Sequence, residues 1–279
     1  MSDNWIVQTL DNVLKFWNKA LEIIWGLLTE SPETFRGGEI WNVVVRISGG
    51  LQAIAYSLLI LFFAFGIFKS ATSFRDFRRP ETSMRYFIHF LSAKIAITYA
   101  TDILVGIFKI CGGIISEAGS SLGGVTEQLM LPTDIAAAIE DVGFLASIPL
   151  MIVALLGYIL ITVLGAKLIL TVYSRFFRLY MYTALAPVPL SAFGGEVTNS
   201  MGKAFIKSYV GVCLEGAVIV LACVIYNAYA SSGALGFAEP DAETITIVLV
   251  YLTETIFNLL VLVGLVSGSD RIVREMTSL

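Results

Sequence analysis

The residue types that most often perform catalysis are sparse in this chain, and their spacing forms no catalytic set. His89 is the single histidine, and the sequence contains no Ser-His-Asp arrangement, no paired carboxylates, no phosphate-binding glycine loop and no CxxC motif. The cysteines Cys111, Cys213 and Cys223 lie in or beside apolar stretches, which favours packing roles over a disulfide or a metal site. We therefore predict a protein that is not an enzyme and that binds no cofactor, although bound lipids are expected.

The chemistry that remains open comes from ionisable side chains within long apolar stretches, where each is costly unless it is paired or hydrated. These residues are Lys94, Asp102, Lys167, Glu215 and Glu254. Lys167 and Glu215 each lie about six residues from the same end of their stretches, roughly 9 Å deep at 1.5 Å per residue, so they could form a structural pair. Lys167 could instead extend its amine to the interface. We predict that these five residues are either lumen or intersubunit charges in a pore or members of buried pairs in a packed bundle.

Composition identifies the surroundings of these residues. Of the 279 residues, 57% are hydrophobic and 14% are charged, against about 25% charged in ordinary soluble domains, and the mean hydropathy is +0.81. Several apolar stretches exceed about 20 residues, the length of a helix that crosses a bilayer. These values exclude a soluble enzyme, and the net charge of -4 argues against a dedicated nucleic-acid-binding module. We predict an all-α integral membrane protein.

Five stretches are long enough to span the membrane, and a sixth is shorter and contains two prolines. The five predicted transmembrane helices cover about residues 47–68, 86–108, 148–173, 209–230 and 245–268. The sixth stretch, 179–195, contains Pro187, Pro189, Gly194 and Gly195. Because each proline removes a backbone donor, we predict a broken helix whose bend is formed by these four residues. The bend is either a structural elbow or part of a conduction or gating element.

The distribution of charge predicts the orientation of these helices, because basic loops remain in the cytoplasm. If 179–195 dips into the membrane and returns, eleven loop and tail cations lie on one side, and the loops 112–147 and 231–244, which contain no Lys or Arg, lie on the other. If 179–195 crosses fully, the acidic loops are divided between two compartments. We therefore predict a re-entrant 179–195, an external loop over 112–147, an external N-terminus and a cytoplasmic C-terminus.

The cytoplasmic cations are candidate contacts for a partner protein, DNA or anionic lipid, although positive-inside topology alone also explains them. These candidates are Arg75, Arg78, Arg79, Arg175, Arg178, Lys203 and Lys207.

Residues 1–40 are predicted to contain an amphipathic helix, separate from a membrane domain over 41–279. Apolar residues recur at steps of three and four, and charged residues occupy the opposite face. Such a helix is expected to lie in the external membrane interface or to pack against a neighbouring subunit. The apolar positions are Leu10, Val13, Trp17, Leu21, Ile24 and Leu28, and the charged positions are Asp11, Lys15, Lys19 and Glu22.

One known family shares this topology and this proline motif. The motif begins at Arg175 and reads RFFRLYMYTALAPVPLSAFGGE. Together with Met201-Gly-Lys203 and the span that starts at Tyr209, it resembles the VirB/TrbL-type polytopic membrane subunit of conjugative type IV secretion systems. The resemblance extends over most of the chain from about residue 40 and is sharpest around the proline pair.

The resemblance implies a non-enzymatic channel subunit in the bacterial cytoplasmic membrane. A ring of about five or more copies would contact the assembly ATPase and bitopic scaffold proteins and help single-stranded DNA with its attached relaxase to cross. Two alternatives stay open. A small-solute or ion transporter is suggested by the broken helix and the buried charges, although a transporter should show two broken helices in corresponding places. The other alternative is a structural scaffold of the secretion machine without a lumen of its own.

Overall fold

The computed structural model describes residues 4–71, 80–120, 129–230 and 244–277. Helices account for nearly all of these residues, and the described ranges contain no strand. The prediction of an all-α membrane protein is confirmed. The helices are α1 Trp5–Thr29, α2 Glu39–Ala71, α3 Pro80–Thr98, α4 Ala100–Ser120, α5 Thr133–Glu140, α6 Phe144–Leu185, α7 Pro187–Leu190, α8 Asn199–Ala230, α9 Thr244–Ser267 and α10 Ser269–Thr277, with 3-10 turns at Phe35–Gly38 and Ser191–Gly194.

Four helical stretches in the described ranges are long and apolar enough to cross a membrane. They are Phe35–Phe68, Ser147–Leu185, Asn199–Tyr229 and Ile245–Thr277. These stretches contain nearly all of four of the predicted transmembrane helices, which were recognised by the length of their apolar runs. A fifth span is present if the bent pair Met84–Thr98 and Ala100–Gly119 is counted as one.

The predicted transmembrane helix over 86–108 is wrong in one respect, because the chain bends by 76° between α3 and α4. Tyr99 separates the two helices. The carbonyls of Ile97 and Thr98 accept hydrogen bonds from Nε2 of Gln52 in α2, each at 3.4 Å, and the hydroxyls of Tyr56 and Thr98 lie 2.9 Å apart. A kink without proline or glycine requires such side-chain partners for the backbone groups that it releases.

The segment 179–195 is not a separate helix. Its first seven residues complete α6, which is continuous from Phe144 to Leu185. The break comes at Ala186, and α7 and the 3-10 turn Ser191–Gly194 then connect α6 to α8. The helix therefore ends just before the first proline, where the missing backbone donor takes effect, and not near residue 173 as we expected.

The chain forms two compact units. Unit 1 contains Met1–Thr29, Ile115–Tyr173 and Gly216–Ser269, and unit 2 contains Glu30–Ile114, Ser174–Glu215 and Asp270–Leu279. Each unit has its own apolar core, and each of α6 and α8 belongs partly to one unit and partly to the other.

In unit 1, α1 buries all six apolar positions that its periodicity predicted, and the indole of Trp17 is completely buried. Ile6 and Leu10 of α1 belong to one core cluster with Leu150 of α6 and Leu252 of α9. The apolar face of the helix therefore packs on other helices of the same chain, and its place at the external interface or against a neighbouring subunit stays a prediction. Amphipathicity identifies the apolar face of a helix, but it does not identify what covers that face.

In unit 2, the core lies between α2, α3, α4 and the adjoining ends of α6 and α8. Leu59, Ile97, Leu104 and Leu179 are nearly inaccessible to solvent in this cluster. The hydroxyl of Tyr209 in α8 donates a hydrogen bond to the Leu104 carbonyl of α4 at 3.0 Å. This packing positions the parts of α6 and α8 that carry Arg178 and Glu215.

Candidate functional site

A cluster of charged side chains in unit 2 joins α6, α8 and α10. Nη2 of Arg178 lies 2.6 Å from both carboxylate oxygens of Glu215, and its Nη1 lies 2.8 Å from Oδ1 of Asp270. The side chain of Glu215 is 2% exposed, whereas that of Arg178 is 26% exposed. Hydrogen bonds between charged groups are about twice as strong as neutral ones, and a desolvated carboxylate depends on such a partner. Arg178 is therefore the ionic link between the three helices.

Arg175 lies one helical turn before Arg178 and is completely buried. Its Nε donates to the Val212 carbonyl at 3.2 Å, and its Nη2 donates to the Cys213 carbonyl at 3.3 Å. The guanidinium carbon lies 5.7 Å from the centre of the Phe108 ring of α4, a cation–π contact. Nη1 is buried without a hydrogen-bond partner. The side chain thus joins α6 to both α4 and α8.

A small cleft of ≈ 100 Å³ opens beside these residues in unit 2. Nε of Arg274 lies 3.1 Å from Oδ2 of Asp270, so Asp270 binds two arginines. The groups around the cleft support ion pairing and hydrogen bonding, and they include no nucleophile with an adjacent base. The lining residues are Arg178, Tyr182, Ser208, Gly211, Val212, Asp270, Val273 and Arg274.

The proline pair lies in a closely packed turn of unit 2. Pro187 is the first residue of α7 and is buried. The hydroxyl of Ser191 donates to the Val188 carbonyl at 2.6 Å, and that of Thr198 donates to the Ala192 carbonyl at 2.7 Å. These bonds provide partners for backbone groups of an irregular segment, as a low-dielectric environment requires. The structure therefore supports the elbow interpretation of this bend.

Gly194 and Gly195 follow the prolines and allow α2 to approach the turn. A Cβ atom on Gly195 would lie 2.8 Å from the Phe62 carbonyl oxygen of α2, and one on Gly194 would collide with the side chain of Leu59. Pro187, Pro189, Gly194 and Gly195 thus lie together, between the end of α6 and the start of α8.

The predicted pair between Lys167 and Glu215 is wrong, because the Glu215 carboxylate is bound by Arg178. Both cations lie on α6, but the sequence-based prediction paired Glu215 with Lys167 only. The side chain of Lys167 is exposed in unit 1. Packing, and not distance along the helix, selected the partner.

The other predicted intramembrane charges do not form a single group. Lys94 on α3 and Asp102 on α4 are exposed in unit 2. In unit 1, Oε1 of Glu254 is buried without a hydrogen-bond partner, and so is Oδ1 of Asn258 one turn further along α9. The role of Lys94, Asp102 and Glu254 as lumen or intersubunit groups stays a prediction.

The structure separates the predicted docking charges into three classes. Arg75, Arg78 and Arg79 lie outside the described residues. Lys203 and Lys207 on α8 are exposed. Arg175 and Arg178 lie within α6 and not in a loop after it. Arg175 is buried and Arg178 is bound to two carboxylates, so neither presents an unoccupied guanidinium to a partner.

Sequence reasoning missed Asp270 and Phe108 as members of the site. Asp270 lies in the sequence Gly-Ser-Asp-Arg directly after the last apolar stretch, where an acidic first turn of a new helix is a recognisable signal. Phe108 carried no signal, because aromatic residues are common throughout the apolar stretches. The spacing of three between Arg175 and Arg178 could have shown that both side chains lie on one face of the helix.

Comparison with known proteins identifies one family. A family model described as TrbL/VirB6 plasmid conjugal transfer like protein matches residues 18–187, more than half of the chain. The matched region extends from α1 through α6 to Pro187 and includes Phe108, Arg175 and Arg178. No curated protein and no solved structure matches the chain.

Proposed function

Because this chain belongs to the TrbL/VirB6 plasmid conjugal transfer family, we propose that several copies of it form the inner-membrane passage of a conjugative type IV secretion system. The family membership itself makes the chain a conjugal transfer subunit and a multi-pass protein of the bacterial inner membrane. The family consists of structural secretion components that are not known as enzymes. The single observation that carries the proposal is the match over residues 18–187 in a chain built of membrane-spanning helices.

The proposed assembly is a ring of about five or more copies, associated with the ATPase and the bitopic scaffold proteins of the same machine. Its substrate is single-stranded DNA with the covalently attached relaxase. The many large apolar side chains exposed on α2 and α6, among them Ile60, Leu61, Phe65 and Val163, support contact with lipid or with further copies. Anionic lipid on the cytoplasmic side is the expected counterpart of exposed lysines such as Lys203.

The proposed topology has an external N-terminus and a cytoplasmic C-terminus. It is supported by the five Lys and Arg residues of the segment 69–85, by Arg271 and Arg274 of α10, and by the absence of Lys and Arg from 112–147 and 231–244. With this orientation the turn after α6 lies toward the cytoplasm, where the secretion ATPases operate.

A clean, in-frame deletion of the gene in its conjugative element tests the proposal. We expect transfer into recipient cells to be abolished and to return when the wild-type chain is supplied from a second plasmid. Relaxase cleavage at the transfer origin in the donors should be unchanged, because that step precedes passage through the membrane. Wild-type transfer frequency after the deletion would refute the proposed function.

A further inference from the structure

In unit 1, α1 runs along the apolar part of α6. Leu10 shares a core cluster with Leu150 and Ala154. Further along both helices, a Cβ atom on Gly165 would lie 2.9 Å from the ring of Phe16, which shows how closely the helices approach. Residues 6–20 of α1 therefore pack along residues 150–165 of α6, a stretch of about 22 Å at 1.5 Å per residue.

The outer surface of α6 at this level is apolar. Its exposed large side chains include Ile152, Leu156, Ile159, Leu160 and Val163, which are 46–58% exposed. A continuous apolar surface on a helix of this length and hydropathy is typical of contact with the lipid chains.

The outer surface of α1 at the same level has a polar face, flanked by the exposed apolar side chains of Phe16 and Ile23. The exposed residues on this face, which we call the polar stripe, are Gln8, Asn12, Lys15, Lys19 and Glu22. Lys15 and Asp11 form an ion pair at 2.5 Å, and Lys19 and Glu22 form another at 2.8 Å. Charged side chains at membrane depth face water or a polar partner, because contact with lipid chains costs several kcal/mol each.

An irregular segment of backbone lies beside the polar stripe. Residues 129–132 are not helical, and the amide of Asn18 in α1 binds both backbone groups of Leu129, at 2.9 and 3.0 Å. Nδ2 of Asn4 donates to the Ile139 carbonyl at 3.3 Å, so the segment 129–139 follows α1 in the opposite direction. Non-helical backbone at membrane depth occurs where it is buried in protein or lines a water-filled cavity, and not where it faces lipid.

A cleft lies between α1 and this segment within unit 1. It has a volume of ≈ 410 Å³ and is lined by Val7, Gln8, Asp11, Asn12, Lys15, Leu131 and Ala136. Four of these seven side chains are polar, and two of them belong to one ion pair. The cleft is therefore suited to water, in contrast to the outer surface of α6.

From these observations we infer that α1 and the segment 129–136 enter the membrane from the external side, where the polar stripe and this segment line a water-filled space closed by further copies of this chain. The inference rests on the proposed function for the presence of those copies. The charges of Asp11, Lys15, Lys19 and Glu22 sum to zero. A neutral, hydrated surface suits the passage of a charged polymer, because it neither binds the polymer tightly nor repels it.

Spin-label accessibility tests this inference on the full chain in lipid nanodiscs and in the assembled secretion complex. The three native cysteines, all buried, are first replaced by alanine in a chain that still supports transfer. Single cysteines then carry the label at Lys15 or Glu22 on the polar stripe, and at Leu160 or Val163 as matched controls on α6. Collision with a water-soluble nickel chelate reports water, and collision with oxygen reports lipid.

We expect nickel-dominated relaxation at Lys15→Cys and Glu22→Cys, and oxygen-dominated relaxation at Leu160→Cys and Val163→Cys. Oxygen dominance on the stripe would overturn the inference, because α1 would then face lipid. Nickel dominance at all four sites would also overturn it, because this part of unit 1 would lie outside the membrane. Protection of the stripe from both reagents in the assembled complex would likewise contradict it, because a protein partner would then cover α1.

A transfer assay with bulky substitutions separates this inference from the proposed function. Asn12→Trp should narrow the space and reduce transfer by an order of magnitude, whereas Val163→Trp, which faces outward at the same level, should transfer normally. Equal transfer by both variants would contradict the inference while leaving the deletion phenotype intact. Wild-type transfer after deletion of the gene, together with the expected nickel and oxygen accessibilities, would instead refute the proposed function alone.

Discussion

Nη2 of Arg178 lies 2.6 Å from both carboxylate oxygens of Glu215, across the packing interface between α6 and α8. The carboxylate is almost fully buried, and Asp270 of α10 binds the other terminal nitrogen of the same guanidinium. One arginine within the long apolar helix α6 therefore links two later helices to it. Residues 18–187, which match the family, contain this arginine but neither of its partners.

Replacing Arg178 alone should destabilise unit 2 strongly. Arg178→Met leaves the buried Glu215 carboxylate without its cation, a change that costs about 3–5 kcal/mol in buried ion pairs. The double variant Arg178→Met with Glu215→Leu removes both charges and should recover much of the loss. Thermal unfolding of the purified chain in detergent measures both variants. Equal midpoints for the single variant and the wild type would show that the pair does not support the fold.

The exposed ion pair between Arg85 and Glu196 should behave differently. Its side chains are 67% and 51% exposed and lie 3.4 Å apart. Exposed pairs contribute roughly 0–1 kcal/mol, so Glu196→Gln should leave the unfolding midpoint nearly unchanged in the same assay. A loss comparable with that of Arg178→Met would mean that Glu196 has a buried partner in the assembled protein.

The turn after the prolines should not tolerate a methyl group at Gly195. The new Cβ atom would lie 2.8 Å from both the Phe62 carbonyl oxygen and the Thr198 hydroxyl, and such overpacking costs about 1–3 kcal/mol. We expect Gly195→Ala to lower both the unfolding midpoint and the transfer frequency. Gly113→Ala is the matched control, because a Cβ atom there would meet nothing within 4 Å. Equal effects at the two positions would contradict the packed turn.

The backbone around Leu129 should depend on a single side chain. Asn18→Ala removes two hydrogen bonds that hold Leu129 against α1, and each unsatisfied buried group costs about 1–3 kcal/mol. Amide hydrogen exchange in residues 129–136 should accelerate in this variant. Lys19→Ala, on the exposed face of the same helix and outside the cleft, should leave exchange unchanged. Unaltered exchange after Asn18→Ala would show that other contacts hold this segment against α1.

Hydropathy and periodicity predicted the features that depend on one helix at a time. The apolar runs identified four spans, and the steps of three and four in α1 identified its buried face, with Trp17 at the centre. These features follow from the length of a helix that crosses a bilayer and from its pitch. No neighbouring residue needs to be known to derive them.

Features that depend on contact between helices were not predictable from the sequence. Lys167 and Arg178 lie on the same helix, and only the packing of α8 decides that Glu215 binds Arg178. The bend at Tyr99 occurs without proline or glycine, and Gln52 of another helix stabilises it. A rule based on charge alone assigned Arg175 to the cytoplasmic surface, whereas its hydrogen bonds to α8 hold it in the core.

The most direct test of the membrane passage is an electron-microscopy reconstruction of the full chain in lipid nanodiscs. We predict a rotationally symmetric ring of about five or more copies, with a central opening toward which Lys15 and Glu22 of α1 are directed. A monomer or dimer with a closed cavity of substrate size beside Pro187 would contradict the passage and indicate a transporter instead.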